Sequence, residues 1–169
     1  MKRYLYIVSI LPSILIVSIS FSLLIGRLYV QKSSSMNPSI INNDRIFILK
    51  SKNIQRFDII CFNFTQDGKT FPILKRVIAF SGEKILISYG EIRINDKIIK
   101  LPSDIDVQNL LGSDLNPIKF GSPYNYIVPP GELFIMGDNT KDSYDSRYYG
   151  GVPITMIIGK AAWILRFLK

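Results

Sequence analysis

The chain has 169 residues, of which 47% are hydrophobic, and it carries a net charge of +8, one cysteine and no histidine. Removing the first 26 residues leaves about 143, which is enough for one well-packed domain and tight for two. A single cysteine excludes an intrachain disulfide, and a metal site without histidine would need a spaced acidic loop that the sequence lacks, so we expect neither a metal nor a cofactor.

The N-terminal part is an uncharged apolar run, Tyr4–Gly26. As a helix it would be about 34 Å long, enough to cross a hydrocarbon core of about 30 Å. Lys2 and Arg3 precede it and Arg27 follows it, a distribution that favours a cytoplasmic N-terminus. The run is longer than the apolar part of a cleaved signal peptide, and no Ala-x-Ala site follows it. We therefore predict an uncleaved anchor.

Short apolar runs separated by turn signals predict one antiparallel, mostly β domain after the anchor. The pairs Asp67-Gly68 and Asn95-Asp96 predict hairpin turns. Residues 102–125 are predicted to form an inserted loop. Cys61 is expected to be a buried, inert thiol. The predicted strands are Ile46–Leu49, Asp58–Phe64, Phe71–Phe80, Glu91–Ile94, Lys97–Ile99, Tyr126–Val128, Glu132–Met136 and a final strand region, Ile154–Leu168. The predicted organisation is a cytoplasmic tip and transmembrane anchor at 1–27 and an extracytoplasmic β-rich domain at 28–169.

The serine-rich segment Ser33-Ser34-Ser35-Met36-Asn37-Pro38 begins six residues after Arg27, close to the predicted membrane surface. A serine hydroxyl is a poor nucleophile without a base, and in a chain without histidine the known substitute is lysine. A flexible polar linker is the alternative interpretation. It does not explain Met36 or Pro38, and Pro38 restricts Asn37 to extended geometry, which would help to hold Ser35.

Lys75 is the candidate base because apolar residues surround it in the sequence. On a strand, Ile73, Lys75 and Val77 share one face. Burial there would lower the pKa of the amine from about 10.4, so that it could accept a proton. The alternative is a lysine at a strand edge whose charged end reaches water.

A third motif, Gly137-Asp138-Asn139, is followed by Ser143, Asp145 and Arg147. A polar turn is the simple interpretation. In the functional interpretation the Ser143 hydroxyl bonds the Lys75 amine and orients it, while Asp145 and Arg147 form an ion pair behind the site.

These motifs, in this order from the anchor to about Pro153, resemble type I signal peptidases. The matching stretches are Ser33-x-Ser35-Met36-x-Pro38, Phe57-Asp58-Ile59-Ile60-Cys61-Phe62, Lys75-Arg76-Val77-Ile78 and Gly137-Asp138-Asn139-x3-Ser143-x-Asp145-Ser146-Arg147. The resemblance implies a barrel-like antiparallel β catalytic domain on one transmembrane helix. It also implies a membrane-bound serine endopeptidase that removes signal peptides from exported preproteins after small residues at P1 and P3.

The resemblance further implies residue roles. Ser35 would be the nucleophile and Lys75 the general base, with the Ser33 hydroxyl and the Ser35 backbone N–H as oxyanion hole and Ser143 orienting Lys75. The supporting residues would be Arg76, Gly137, Asp138, Asp145 and Arg147. The residues shaping the substrate pockets would be Met36, Ile40, Ile73 and Leu74.

The expected partners are signal peptides of secreted preproteins and membrane lipid, near the protein translocation machinery. Nucleic acid is not expected, because the basic residues form no run interleaved with aromatics. The expected location is the plasma membrane, crossed once, with the catalytic domain on the extracytoplasmic side; a thylakoid or another internal membrane is the alternative.

Three other functions remain open on the sequence. One is a maturation peptidase of the same Ser/Lys class dedicated to one substrate, such as a conjugation pilin. Another is a cytosolic self-cleaving repressor, which the anchor and the lack of a DNA-binding segment argue against. The third is a membrane-anchored β module in which the serine and lysine are structural. The chain also departs from the family pattern at Gln31-Lys32, Phe57, Ser81-Gly82-Glu83 and Thr140-Lys141, none of which removes a dyad member.

Overall fold

The structure is a computed structural model that describes residues 25–88, 91–105 and 124–166. Within these ranges it is almost entirely β, with one short helix, α1 (Ser146–Tyr149), and 3₁₀ turns at Thr140–Asp142 and Ile154–Met156. The strands are β1 (Gly26–Val30), β2 (Arg45–Leu49), β3 (Ile59–Gln66), β4 (Lys69–Phe80), β5 (Lys84–Ser88), β6 (Glu91–Ile94), β7 (Lys97–Ile98), β8 (Tyr124–Ile127), β9 (Glu132–Met136), β10 (Val152–Pro153) and β11 (Ile157–Leu165).

The described strands form two antiparallel sheets. The larger has the order β1-β2-β11-β3-β4-β9-β10, and the smaller has the order β7-β6-β5-β8. The long strand β4 pairs with β3 on one side and β9 on the other, so that Lys75 lies opposite Ile60 and Arg76 lies opposite Met136. The carboxyl end of β9 therefore delivers residues 137 onward next to the middle of β4.

Both predicted hairpin turns are present. Asp67 and Gly68 have φ of 50° and 72° and join β3 to β4. Asn95 and Asp96 have φ of 50° and 64° and join β6 to β7. Positive φ at both central residues is what a two-residue turn needs to follow the right-handed twist of its strands.

The predicted mostly β, antiparallel class is confirmed, and the differences concern short or ambiguous elements. Strands β1, β5 and β10 and helix α1 were not predicted. β1 lies where the apolar run ends, and β10 has only two residues. In the described part of the final region, residues 154–156 form a 3₁₀ turn and Ile157–Leu165 is a strand, whereas residues 167 and 168 of the predicted strand region lie outside the described residues.

Parts of two further predictions fall outside the described residues. Of the predicted anchor Tyr4–Gly26, the structure describes only the last two residues, and Gly26 begins β1. The predicted loop 102–125 is described only at its ends, and β8 begins within it at Tyr124. Among the residues that the structure describes, no helix is long and apolar enough to span a membrane.

Three apolar clusters fill the described core, and one of them lies beneath the serine segment. Met36 and Ile40 pack there with Leu74 and Cys61, all buried. Burial raises the pKa of the Cys61 thiol to about 12, which agrees with the predicted inert thiol.

Candidate active site

The serine segment is a folded turn rather than a flexible linker. The backbone N–H of Asn37 donates to the Ser34 carbonyl at 2.9 Å, and that of Ile40 donates to the Met36 carbonyl at 2.9 Å. Met36 and Ile40 are fully buried beneath the turn. Their packing fixes the backbone on the C-terminal side of Ser35.

The loop that follows β9 holds the same turn through hydrogen bonds. The backbone N–H of Asn139 donates to the Ser35 carbonyl at 3.1 Å, and its side-chain amide donates to the Ser34 carbonyl at 3.2 Å. The Ser34 hydroxyl donates to the carboxylate of Asp142. Ser35 is thereby tied to the strand β9, which pairs with the lysine-bearing strand β4.

Gly137 allows this close approach. A Cβ at this position would overlap both the Ser35 carbonyl oxygen and the Ser143 hydroxyl. The absence of a side chain therefore lets the serine turn and Ser143 approach the same backbone from two directions.

Lys75 is buried in the middle of the larger sheet, with 3% of its surface exposed. Burial lowers the pKa of its amine from 10.5 to about 8; the Asp145 carboxylate opposes this shift and the Arg147 guanidinium adds to it. The alternative of an edge lysine reaching water is excluded. The Lys75 amine forms no hydrogen bond with any of the described residues, so Ser35 and Lys75 are not directly bonded in this structure.

Ser143, Asp145 and Arg147 form one buried network. The Ser143 hydroxyl donates to Asp145 Oδ2 at 2.7 Å, and the Gly137 backbone N–H donates to the same oxygen at 2.9 Å. Arg147 donates through Nε to Oδ1 and through Nη2 to Oδ2 of Asp145, both at 2.9 Å. Burial alone would raise the pKa of Asp145, but the Arg147 guanidinium outweighs it and holds that pKa below its ordinary value.

The predicted Asp145–Arg147 ion pair is thus present, but the expected bond from Ser143 to Lys75 is not seen among the described residues. The Ser143 proton points to Asp145 instead, because a carboxylate is the stronger acceptor. Ser143 is thus connected to Lys75 through Asp145, the carboxylate whose charge raises the pKa of Lys75.

A second buried ion pair lies beside the first. Arg76 donates through Nε to Oδ1 of Asp138 at 2.7 Å and through Nη2 to Oδ2 at 2.6 Å. Ser39, which sequence reasoning missed, donates its hydroxyl to Asp138 and accepts from Arg76 at 3.1 Å. Arg76 also donates to the carbonyl of Phe57 at 3.0 Å. Phe57 has a φ of 71°, which is uncommon for a residue with a large side chain.

A groove of about 480 Å³ runs beside the serine turn. Residues 29–33, residues 71–74 and Cys61 line it. Ile73 and Leu74 lie on the groove as predicted. Met36 and Ile40 have no exposed surface. They belong to the apolar cluster that includes Leu74 and Cys61, which line the groove, so they support it from behind rather than line it.

Comparison with known proteins gives consistent matches. The family model described as signal peptidase, peptidase S26, matches residues 3–166. A signal peptidase I of Bacillus amyloliquefaciens is 31% identical over 89% of this chain and 81% of its own length. A mitochondrial inner membrane protease subunit 1 of Mus musculus is 32% identical over 80% of this chain and 67% of its own length.

The chain is also similar to a cyanobacterial protein and to a protein of known structure. A probable signal peptidase I-2 of Synechocystis sp. is 32% identical over 76% of this chain, and the match spans 58% of that protein. A crystal structure of a signal peptidase I from Enterococcus faecalis V583 is 26% identical with a TM-score of 0.49, covering 64% of this chain and 96% of the other. On the family-model match and the identity to the Bacillus protein, the chain belongs to the peptidase S26 family of signal peptidases, serine endopeptidases that remove signal peptides from preproteins.

Proposed function

We propose that this chain cleaves exported preproteins with Ser35 as nucleophile and Lys75 as general base. The observation that carries the proposal is the burial of Lys75, which brings the pKa of its amine to about 8. A lysine with its ordinary pKa is almost wholly protonated at neutral pH and cannot accept a proton. The hydrogen bonds from Asn139 to the Ser34 and Ser35 carbonyls support the assignment of Ser35 as the nucleophile. They hold the serine turn beside the loop that carries Asp145, the carboxylate whose charge raises the pKa of Lys75.

In the first step, the neutral Lys75 amine takes the proton of the Ser35 hydroxyl as the oxygen attacks the scissile carbonyl carbon. The resulting ammonium then gives the proton to the leaving amine, and an acyl-enzyme forms. A water molecule, deprotonated by Lys75, releases the acyl group and restores Ser35. The buried Asp145 carboxylate stabilises the ammonium form that exists between these transfers.

The oxyanion of the tetrahedral intermediate would be held by the Ser33 hydroxyl and the Ser35 backbone N–H. Two facts support this role. The Ser33 and Ser35 hydroxyl oxygens are 3.2 Å apart. Across residues 25–88, 91–105 and 124–166, no group accepts a hydrogen bond from the Ser35 N–H, so this donor is available to substrate.

The substrate would lie extended in the groove between residues 29–33 and 71–74, where strand-like pairing fixes its register. Ile73 and Leu74 present apolar surface to it, with Met36 and Ile40 packed behind. Such surfaces admit small side chains at P1 and P3 and exclude larger ones by steric overlap.

The proposal also includes a membrane location for the chain. Tyr4–Gly26 would anchor the chain by a single membrane span, with the β-rich part on the extracytoplasmic side of the plasma membrane or of an internal membrane. The uncharged run in the sequence supports this, as does the similarity to a protein named as a mitochondrial inner membrane protease. The partners would be signal peptides and lipid, close to the translocation machinery.

The test is cleavage of an Ala-x-Ala preprotein by the full chain in detergent, with the new N-terminus sequenced. Ser35→Ala should abolish cleavage, whereas Ser88→Ala, at the end of β5 in the smaller sheet, should cleave like the wild type. Cleavage by Ser35→Ala would refute the proposed nucleophile. Absence of cleavage by the wild type, across several preproteins, would favour a dedicated peptidase or a non-catalytic module.

The oxyanion role makes a separate prediction. Ser33→Ala should lower kcat about 10²–10³-fold, the usual effect of removing one oxyanion donor, and leave KM nearly unchanged. The measurement is steady-state kinetics on a fluorogenic signal-peptide substrate. A kcat within about twofold of the wild type would rule out the Ser33 hydroxyl as an oxyanion donor.

A further inference from the structure

We propose that Gln31 is a positioning residue that directs the proton of the Ser33 hydroxyl toward Ser35. This inference rests on the proposed function. It starts from two hydrogen bonds of the Gln31 side-chain amide, which donates to the Ser33 carbonyl at 2.9 Å and to the Ser33 hydroxyl oxygen at 3.2 Å.

The Ser33 carbonyl determines which way the amide faces. A backbone carbonyl can only accept, so the group opposite it must be the NH₂ of Gln31 and not its oxygen. The same NH₂ also meets the Ser33 hydroxyl oxygen, which therefore acts as an acceptor in that contact. The two contacts together leave a single consistent orientation of the amide.

An acceptor contact on one side of a hydroxyl leaves its proton for another partner. The other described partner of the Ser33 oxygen is the Ser35 hydroxyl oxygen, at 3.2 Å. Either hydroxyl could donate in this contact. The Gln31 amide already occupies one acceptor site of the Ser33 oxygen, which favours Ser33 as the donor to Ser35 and leaves the Ser35 proton free to move toward a base. Once the substrate is attacked, the same Ser33 proton faces the developing oxyanion, already oriented before the reaction.

The position of Gln31 is fixed on both sides of its backbone. Its N–H donates to the Asp44 carbonyl at 3.0 Å, and its carbonyl accepts from the Asn43 N–H at 2.9 Å. Only 6% of its surface is exposed. A buried amide held in this way keeps its direction, unlike the polar end of a surface side chain.

Two substitutions of Gln31 test whether its amide donates to the Ser33 hydroxyl and so directs the Ser33 proton toward Ser35. Gln31→Met keeps the size but removes the donor, and should lower kcat about five- to tenfold with KM within about twofold. Gln31→Glu replaces the donor with an acceptor that attracts the Ser33 proton, and should lower kcat further. Rates are compared at the alkaline plateau, where a shift in the pKa of Lys75 has no effect. A Gln31→Glu enzyme as fast as the wild type would overturn the inference.

A double-mutant comparison separates this role from a structural one. If Gln31 acts through the Ser33 hydroxyl, Gln31→Met should have no further effect on kcat in a Ser33→Ala background. The same five- to tenfold loss in that background would mean that Gln31 only supports the fold, and would overturn the inference.

A spectroscopic readout does not depend on cleavage. The side-chain ¹⁵N–¹H signals of Gln31 in the full chain should shift on Ser33→Ala and stay unchanged on Ser88→Ala. Unchanged Gln31 signals in Ser33→Ala would overturn the inference even if the proposed function holds. Shifted signals in a chain that cleaves nothing would support the Gln31 contact while the proposed function fails.

Discussion

Replacing Lys75 by methionine should abolish cleavage and at the same time raise the free energy of unfolding at neutral pH. The activity is lost because methionine cannot accept the Ser35 proton. The stability rises because burial lowers the pKa of Lys75 from 10.5 to about 8. The protonated amine is therefore disfavoured in the folded chain by about 3 kcal/mol.

The pH dependence gives the sign of this effect. Between about pH 8 and pH 10.5 the unfolded chain binds more protons at Lys75 than the folded chain does, so the wild type gains stability as the pH rises through this window. The free energy of unfolding of Lys75→Met should therefore exceed that of the wild type by about 3 kcal/mol at pH 7 and by little above pH 10.5. Urea unfolding at both pH values measures the difference.

Two variants serve as controls for Lys75. Lys84→Met removes a lysine whose side chain is 42% exposed and pairs with Asp96 at the surface, so it should change stability by less than about 1 kcal/mol at either pH. Lys75→Arg should be inactive, because a guanidinium keeps its proton. A destabilised Lys75→Met at pH 7, or near-normal cleavage by Lys75→Arg, would contradict the assignment of Lys75.

Asp145→Ala should lower the free energy of unfolding by about 3–5 kcal/mol, the largest loss expected for any of these variants. It leaves the Arg147 guanidinium buried without its carboxylate, and it removes the acceptor of the Gly137 N–H and the Ser143 hydroxyl. Cleavage should fall as well, since Asp145 no longer stabilises the Lys75 ammonium formed during the reaction. Chemical unfolding and steady-state kinetics of the same preparation measure both effects.

The matched control is Asp96→Asn, which breaks a surface pair whose acid is 75% exposed and keeps a side chain that tolerates the positive φ of this turn position; it should cost less than about 1 kcal/mol. A second substitution tests whether the buried Arg147 guanidinium causes this loss of stability. Adding Arg147→Met to Asp145→Ala removes the buried guanidinium that has lost its carboxylate and should recover part of the lost stability without recovering activity. A loss for Asp145→Ala as small as that for Asp96→Asn would mean that the buried pair does not hold this loop.

Much of the fold could be predicted because its signals are local. Asp67-Gly68 and Asn95-Asp96 carry the conformations of their turns in two residues each, and both hairpins lie where these pairs predicted them. The burial of Lys75 was likewise predictable from its apolar neighbours on the same strand face. β5 was missed although Ile85 and Ile87 alternate with more exposed positions, a pattern that the sequence does contain.

The contacts that assemble the site were less predictable, because they join distant positions. Ser39 meets Asp138 across 99 positions, and Asn139 meets Ser34 across 105. Nothing in the local sequence around Ser39 indicates an ion-pair partner. Ser143 shows a related difficulty, because its spacing predicted proximity to the site but not the choice of Asp145 over Lys75 as acceptor.

Gln31 shows how a departure from a family pattern can carry information. In the sequence it was a polar residue where the resemblance leads one to expect an apolar one. Only the structure shows that its amide contacts the Ser33 hydroxyl, because the contact depends on the turn between them.

The most direct test of the Ser35–Lys75 assignment is the pH dependence of kcat/KM for preprotein cleavage between pH 6 and 10. The value should rise with pH as Lys75 loses its proton, reach half its maximum near the pKa of about 8, and then level off. Ser35→Ala and Lys75→Ala should stay at background throughout. A wild-type rate that is flat from about pH 6 to about pH 9, or cleavage by either variant, would contradict a neutral Lys75 as the base.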